Sequence, residues 1–218
     1  MTYEANPRRK ALRLQVKNGL QADLVFDESA AVFEPMSICT QIGRNGWVYA
    51  HKVAGVPAYG HISGSFGQVN LRDVDAYAHH DFSAGYMRRE TFWNWACLSG
   101  RLEDGRSIGL NLSCGVNETS YSENCIWLDG RCIATGLAQF HYDQDNPMTP
   151  WVVTAGNEHV RLRFVPEGAH REQFNTGIMA SNFKQIFGRF NGEIRTDDGE
   201  TLPIVNQYGF VEDQYAKW

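Results

Sequence analysis

Short segments in which hydrophobic and polar residues alternate strictly make up much of the chain. Segments 12–17, 107–113 and 159–164 show this alternation most clearly. A period of two places one side of each segment on a core and the other side in water or in a polar cavity. The pattern therefore predicts β-strands, and segments with a helical period are scarce.

Tight turns separate these alternating segments at regular intervals. Asp-Gly pairs stand at 104–105, 129–130 and 198–199, each between two strand-like runs. Such a pair is a strong hairpin signal because glycine readily adopts the positive φ that the turn requires. About a dozen short strands joined by turns of this kind predict an antiparallel all-β sandwich or barrel.

The composition is that of an ordinary globular protein. The 218 residues are 43% hydrophobic and 21% charged, which excludes wholesale disorder. The formal net charge is −5, whereas a general nucleic-acid binder would carry a basic face. We therefore expect no nucleic-acid partner. We also expect no membrane span, since the chain has no apolar run of about 18 residues.

The cysteines and the first residues suggest where the protein works. Five cysteines, an odd number without a Cys-x-x-Cys pair, fit a reducing compartment better than a disulfide scaffold. The first ten residues are polar and no apolar core of a secretory signal follows them. These features predict a cytoplasmic protein.

The segment 77–99 holds the densest set of chemically useful side chains. Alternation places Trp93 and Trp95 on one face of a strand and Asn94 on the other. Two tryptophans two positions apart form a continuous aromatic wall, and aromatic walls with a few convergent polar groups are typical of small-molecule sites. The same pattern would also arise if both indoles simply packed in the core.

Polar groups precede these tryptophans. His79 and Asp81 share a face if their strand is regular, and Tyr86 and Arg88 lie between the two strands. The hypothesis is that these residues and Asn94 bind a ligand while Asp81 acts as an acid. The alternative is that Asp81 pairs with Arg88 or caps a turn.

A second polar cluster lies at 115–124, after an alternating strand. Asn117, Glu123 and Asn124 are its candidates, and loops at the mouth of a barrel often carry function. Glu123 would complete a carboxylate pair with Asp81, which is the usual arrangement for acid–base catalysis. The alternative is a solvated loop whose polar side chains bond to the backbone.

Metal and cofactor motifs are lacking. In the sequence His79-His80-Asp81 the adjacent histidines point to opposite faces of a strand, and no His-Glu-x-x-His or Cys/His spacing supports a zinc site. There is no phosphate-binding loop, no dinucleotide fingerprint and no nucleophile elbow. The sequence predicts neither a metal nor a cofactor.

The order of several motifs resembles a known family. Trp-Asn-Trp at 93–95 is followed by Gln-x-Phe-Gly-x-Phe-x-Gly at 185–192, Asp-Asp-Gly-Glu at 197–200 and Gly-Phe-Val-Glu at 209–212. This order resembles the bacterial family named domain of unknown function 2804, from about Leu20 to the end of the chain. Members are usually longer, so the resemblance implies a match to their later two thirds.

The resemblance implies a lipocalin-like, antiparallel β-barrel. The chain would hold the second lobe of a two-lobed barrel protein, residues 71–218, and part of the first lobe, residues 1–70. The nearest sequence signal for a boundary lies at 69–74, after a glycine-rich strand. A missing part of the first lobe would leave strand edges exposed, and a homodimer is one way to cover them.

The family is also similar to a group that includes carotenoid hydratases and fungal pericyclic cyclases. This likeness implies a hydrophobic or amphipathic small molecule held against aromatic walls, and a hydratase, lyase or isomerase activity or simple binding. One alternative is a carbohydrate-binding or glycoside-cleaving protein that uses the tryptophans as platforms and the two carboxylates as catalysts. A further alternative is a structural or interaction module in which the aromatic residues are only core.

Overall fold

The structure is a computed structural model that describes residues 1–6, 8–17, 19–29, 33–116 and 121–218. Within these ranges every regular element is a β-strand, and all strand pairs are antiparallel. The prediction of an all-β antiparallel fold is confirmed. No membrane-spanning helix is found in this described part of the chain.

Two sheets make up the fold. The first contains β1 (Thr2–Asn6), β2 (Arg9–Gln15), β3 (Gln21–Asp27), β4 (Met36–Ile42), β5 (Gly46–Gly64), β6 (Gly67–Asn70) and β7 (Tyr77–Tyr86). The second contains β8 (Glu90–Arg101), β9 (Ser107–Cys114), β10 (Cys125–Leu128), β11 (Arg131–Ala134), β12 (Ala138–His141), β13 (Trp151–Ala155), β14 (Val160–Asn175), β15 (Ala180–Arg195) and β16 (Thr201–Lys217).

The long strand β5 organises the first sheet. Its first part pairs with β4 on one side and β7 on the other, and its last part pairs with β3 and β6. An irregularity between Val53 and Val56 separates the two parts, and such a bulge bends and twists a strand. Because β7 pairs with β5, the strands of the first sheet extend to Tyr86. The division into 1–70 and 71–218 stays a prediction.

The second sheet has the strand order β11-β10-β9-β8-β16-β15-β14-β13-β12 and curls into a half-barrel. Its concave side is packed with fully buried apolar side chains, among them Leu110, Trp151, Phe164, Ile186 and Phe190. This side supplies the main core. Its convex side packs against the first sheet.

The two sheets meet where β5 crosses β8, β9 and β10. Val53, Ala54 and Val56 of β5 pack there with Trp127 and Phe210 of the second sheet. The backbones approach most closely at Gly109, where an added Cβ would lie 2.4 Å from the carbonyl carbon of Ala54. Only glycine allows this approach without moving a backbone.

We therefore expect Gly109→Ala to lower the free energy of unfolding by about 1–3 kcal/mol, the usual cost of overpacking a close contact. Urea denaturation followed by tryptophan fluorescence measures the change. Gly168→Ala is the matched control, since nothing lies within 4 Å of the Cβ that it adds. Equal free energies of unfolding for the two variants would contradict a close approach of the two backbones at Gly109.

Candidate functional site

A cleft lies between the two sheets, bordered by β5 and β7 on one side and by β8, β9 and β16 on the other. One part of it, which we call the front cavity, has a volume of about 290 Å³. The side chains that give it chemical character are Lys52, Asp81, Trp93, Trp95, Glu123 and Glu212. The site therefore combines two indole rings with one ammonium and three carboxyl groups.

Strand register explains why these residues meet. Trp93 and Trp95 are two positions apart and therefore share the convex face of β8. Glu212 of β16 lies directly opposite Trp95. On the other side of the cleft, Asp81 of β7 lies directly opposite Lys52 of β5. Glu123 lies two residues before the start of β10, and its side chain reaches Lys52 from the second sheet.

Lys52 is the centre of a buried ionic cluster. Its Nζ donates to Glu123 Oε1 at 2.7 Å and lies 3.5 Å from Asp81 Oδ2. The side chains of Lys52 and Glu123 are only 7% and 5% exposed, whereas that of Asp81 is 29% exposed. Burial lowers the pKa of Lys52, but the charges of Glu123 and Asp81 outweigh it and raise the pKa overall. Lys52 is therefore a permanent cation.

Glu212 has a different environment from the other two carboxyl groups. Trp93 Nε1 donates to its Oε2 at 3.1 Å, and Gln185 Nε2 donates to its Oε1 at 2.7 Å. Burial raises the pKa of Glu212 above its ordinary value, although both hydrogen bonds and the charge of Lys52 act in the opposite direction. The site thus places a carboxyl group with a raised pKa beside Asp81 and Glu123, which lie against an ammonium.

Hydrogen bonds fix the second indole. Trp95 Nε1 donates to Asn111 Oδ1 at 2.7 Å, and Asn111 Nδ2 donates to the carbonyl oxygen of Glu123 at 2.8 Å. The Lys52 ammonium lies 4.6 Å from the centroid of the Trp95 ring, a cation–π distance. These contacts hold the aromatic wall and the carboxylate of Glu123 in one rigid unit.

His79 contacts the back of this wall. Its ring centroid lies 6.1 Å from that of Trp95 and 5.2 Å from that of Phe210. Desolvation, assisted by the charge of Lys52, lowers the pKa of His79 from 6.5 to about 4. The imidazole is therefore neutral at pH 7 and packs as an aromatic ring against Trp95 and Phe210.

This shift predicts a pH dependence of stability. Between pH 6.5 and about 4 the unfolded chain binds a proton that folded His79 does not bind, so stability falls as the pH is lowered through this window. Because the ring still reaches solvent in the cleft, we expect the loss to be about 1–2 kcal/mol. Urea denaturation at pH 7 and pH 4.5 measures it. His79→Phe should remove this component, and His170→Phe, a change at an exposed position of β14, should retain it. Equal pH dependence of wild type and His79→Phe would contradict the assignment.

Three other candidates from the sequence do not line the front cavity. Tyr86 is exposed at the end of β7, where it contacts the edge of Trp47, and Arg88 lies against Gly43. Asn94 faces the opposite side of β8 and donates to the hydroxyl of Tyr142 and the carbonyl of Glu212. None of these three residues lines the front cavity, so a role in binding a ligand there is not supported.

The loop before β10 holds two further ligand-binding candidates, Asn124 and Asn117. Asn124 is buried, its Oδ1 accepts from the backbone N–H of Ser113 at 2.6 Å, and its Nδ2 donates to the carbonyl of Gly136 at 3.1 Å. Its amide therefore connects backbone segments. Asn117 lies outside the described residues.

Sequence reasoning missed Lys52 and Glu212, although a signal was present for each. Lys52 is in phase with Val48 and Ala50 on the buried side of β5, and Glu212 is in phase with Phe210 on β16. A charged residue at an apolar position of an alternating strand must find a partner, because burying an unpaired charge is costly. Among the described residues, no cluster of three or more metal-ligating side chains is found.

Comparisons with known proteins agree with this fold. The crystal structure of kievitone hydratase from Nectria haematococca is similar to the chain with a TM-score of 0.53 and 12% identity, and the match covers 97% of this chain and 66% of that one. At this identity the likeness concerns the fold alone. No curated protein sequence matches the chain significantly. The family described as Domain of unknown function (DUF2804) matches residues 1–218, a longer span than the one from Leu20 that the motifs indicated. The chain belongs to this family.

Proposed function

We propose that the front cavity binds an apolar or amphipathic small molecule and moves protons to and from one of its carbon–carbon double bonds, in a hydration or an isomerisation. The observation that carries the proposal is that three carboxyl groups, one ammonium and two indole rings line one cavity of about 290 Å³. Cavities of about 300 Å³ and more commonly hold small organic ligands. General acids and bases must lie beside such a ligand.

The contacts favour a division of roles among the carboxyl groups. Glu212, whose pKa is raised, donates a proton to one carbon of the double bond. In a hydration, water then adds to the other carbon and loses a proton to Asp81, so that one water molecule is added overall. In an isomerisation, Asp81 removes a proton from a neighbouring carbon instead. Glu123 keeps its pairing with Lys52 and acts as a positioning residue, whereas the sequence hypothesis made it a partner of Asp81 in catalysis.

The site also suits the charge that develops in such a reaction. Protonation of a double bond creates positive charge on carbon, which aromatic faces and carboxylates stabilise. Trp93 supplies an aromatic face, and Asp81 supplies negative charge. An anionic substrate is disfavoured because the ammonium of Lys52 is already engaged by two carboxylates.

Kievitone hydratase bears the name of a hydratase, which is the same class of reaction. The likeness to it supports the proposal only through the shared fold, since fold does not imply function. The carbohydrate alternative has less support. The Trp95 ring is covered by the ammonium of Lys52 at 4.6 Å, so this face is not open as a platform for a sugar ring. The lipocalin-like relationship, the cytoplasmic location and the homodimer stay predictions from the sequence.

Solvent-deuterium incorporation tests the proposal. Neutral unsaturated compounds are incubated with the protein in D₂O, and mass spectrometry detects deuterium bound to carbon. We expect the wild type to label at least one compound that it binds, and Asp81→Asn to lose about 10²-fold or more in rate while affinity is kept. Asp73→Asn, a change in an exposed turn, is the matched control and should retain the wild-type rate. If the wild type bound such a compound without labelling it, the protein would be a carrier, and the proposed catalysis would be contradicted.

A further inference from the structure

The cleft has a second part beyond the aromatic wall. This rear cavity has a volume of about 440 Å³, and its lining includes Tyr77, His79, Phe187, Tyr208 and Phe210. Of the sequence candidates that the structure describes, His79 is the one that lines it. Its size is within the range of a small-molecule subsite.

Three rings form the wall between the front and rear cavities. Trp95 lines the front cavity, His79 and Phe210 line the rear cavity, and the Trp95 and Phe210 centroids are 4.9 Å apart. The two cavities are therefore separated here by side chains and not by backbone. His79 is the most accessible of the three, while Trp95 is half-buried and Phe210 is buried. His79 lines the rear cavity and contacts Trp95, which lines the front cavity, so it lies at the boundary between the two.

The two cavities differ in the number of charged groups that line them. The front cavity contains an ammonium and three carboxyl groups, whereas Asp75 is the charged residue that lines the rear cavity. The Asp75 carboxylate accepts from Arg101 Nε at 2.9 Å, so its charge is already paired. Apolar and aromatic surface makes up most of the rest, and such surface favours an uncharged ring or chain.

We propose that the rear cavity is a binding subsite for the apolar, ring-bearing end of the same ligand whose double bond lies in the front cavity. This inference rests on the proposed function and names the substrate class. The ligand is a neutral, elongated amphiphile with a conjugated double bond between its polar end and a second aromatic or apolar end. His79 is the residue that separates the two ends and sets the preference for length.

The test compares two neutral phenols that share the same double bond and polar end. 4-Vinylphenol fills the front cavity alone, and trans-4-hydroxystilbene carries a second ring for the rear cavity. We expect the wild type to bind the stilbene at least about tenfold more tightly, measured by tryptophan fluorescence quenching and calorimetry, because a second ring is buried.

Val74→Trp narrows the rear cavity from its rim, since Val74 is 58% exposed and lines this cavity. This variant should lose most of the preference for the stilbene while its affinity for 4-vinylphenol stays the same. Val205→Trp makes the same change at a valine that is 46% exposed on β16 and does not line this cavity, so it should keep the preference.

The outcomes separate this inference from the proposed function. Equal affinity of the wild type for both phenols, or an unchanged preference in Val74→Trp, would overturn the rear subsite. If 4-vinylphenol still gained deuterium in such a case, the proposed function would stand without it. If the wild type bound neither phenol, the assignment of this ligand class to the cleft would be wrong.

Discussion

Replacing Lys52 with methionine is expected to lower the free energy of unfolding by about 3–5 kcal/mol, the usual cost of leaving one partner of a buried ion pair behind. Glu123, 5% exposed and bonded to Lys52 at 2.7 Å, would lose its counterion. Its carboxylate must then stay charged without a partner or bind a proton, and either outcome weakens the fold. Urea denaturation at pH 7, followed by tryptophan fluorescence, measures the change.

Two further variants test whether this loss of stability comes from the buried ionic cluster. The double change Lys52→Met with Glu123→Gln removes both charges and should recover most of the lost stability. Lys184→Met breaks the Lys184–Asp213 pair, of similar length at 2.8 Å but more exposed, and should cost no more than about 1 kcal/mol. A Lys52→Met protein as stable as the wild type, or a double variant whose loss equals the sum of the two single losses, would contradict a coupled buried pair.

Glu212→Gln is expected to lower the rate of deuterium incorporation by about 10²–10⁴-fold, the range that a general acid contributes. The amide oxygen can still accept from Trp93, so ligand affinity should change only a few-fold. The wild-type rate should fall as the pH rises through the raised pKa of Glu212, because the proton donor is then lost. Initial rates at saturating ligand across a pH series give both results.

Glu193→Gln, an exposed change on β15 of the same sheet, is the matched control and should keep the wild-type rate. A Glu212→Gln protein that retains the full rate would remove the proton-donor role. A variant that loses affinity and rate together would point instead to a role in shaping the cavity.

The sequence predicted the parts of the site that depend on local periodicity. Alternation along β8 places Trp93 and Trp95 on the same face, and both line the front cavity as that pattern indicates. The same alternation places Asn94 on the opposite face, where it donates to Tyr142 and to the carbonyl oxygen of Glu212 and does not line the front cavity. Asp81 and Glu123 were selected as a pair, and both reach the same ammonium.

The sequence could not predict what depends on sheet packing. Lys52 and Asp81 are paired across neighbouring strands of one sheet, but Glu123 and Glu212 join them only because the convex face of the second sheet packs against β5. Strand β9 is buried on both faces, and a pattern of buried residues on both sides does not reveal which face lines a core and which lines a cleft. Asn124 shows the same limit, since a buried amide that bonds to the backbone has no distinct sequence signal.

The most direct test of the account is the titration of the Glu212 carboxyl group, because it requires no knowledge of the substrate. Protein labelled with ¹³C at glutamate side-chain carboxyl groups is titrated by NMR, and the resonance missing from Glu212→Gln identifies the residue. We expect this carboxyl group to bind its proton at a pH above the ordinary glutamate range. Titration of Glu212 within or below that range would contradict the presence of a proton donor in the cleft.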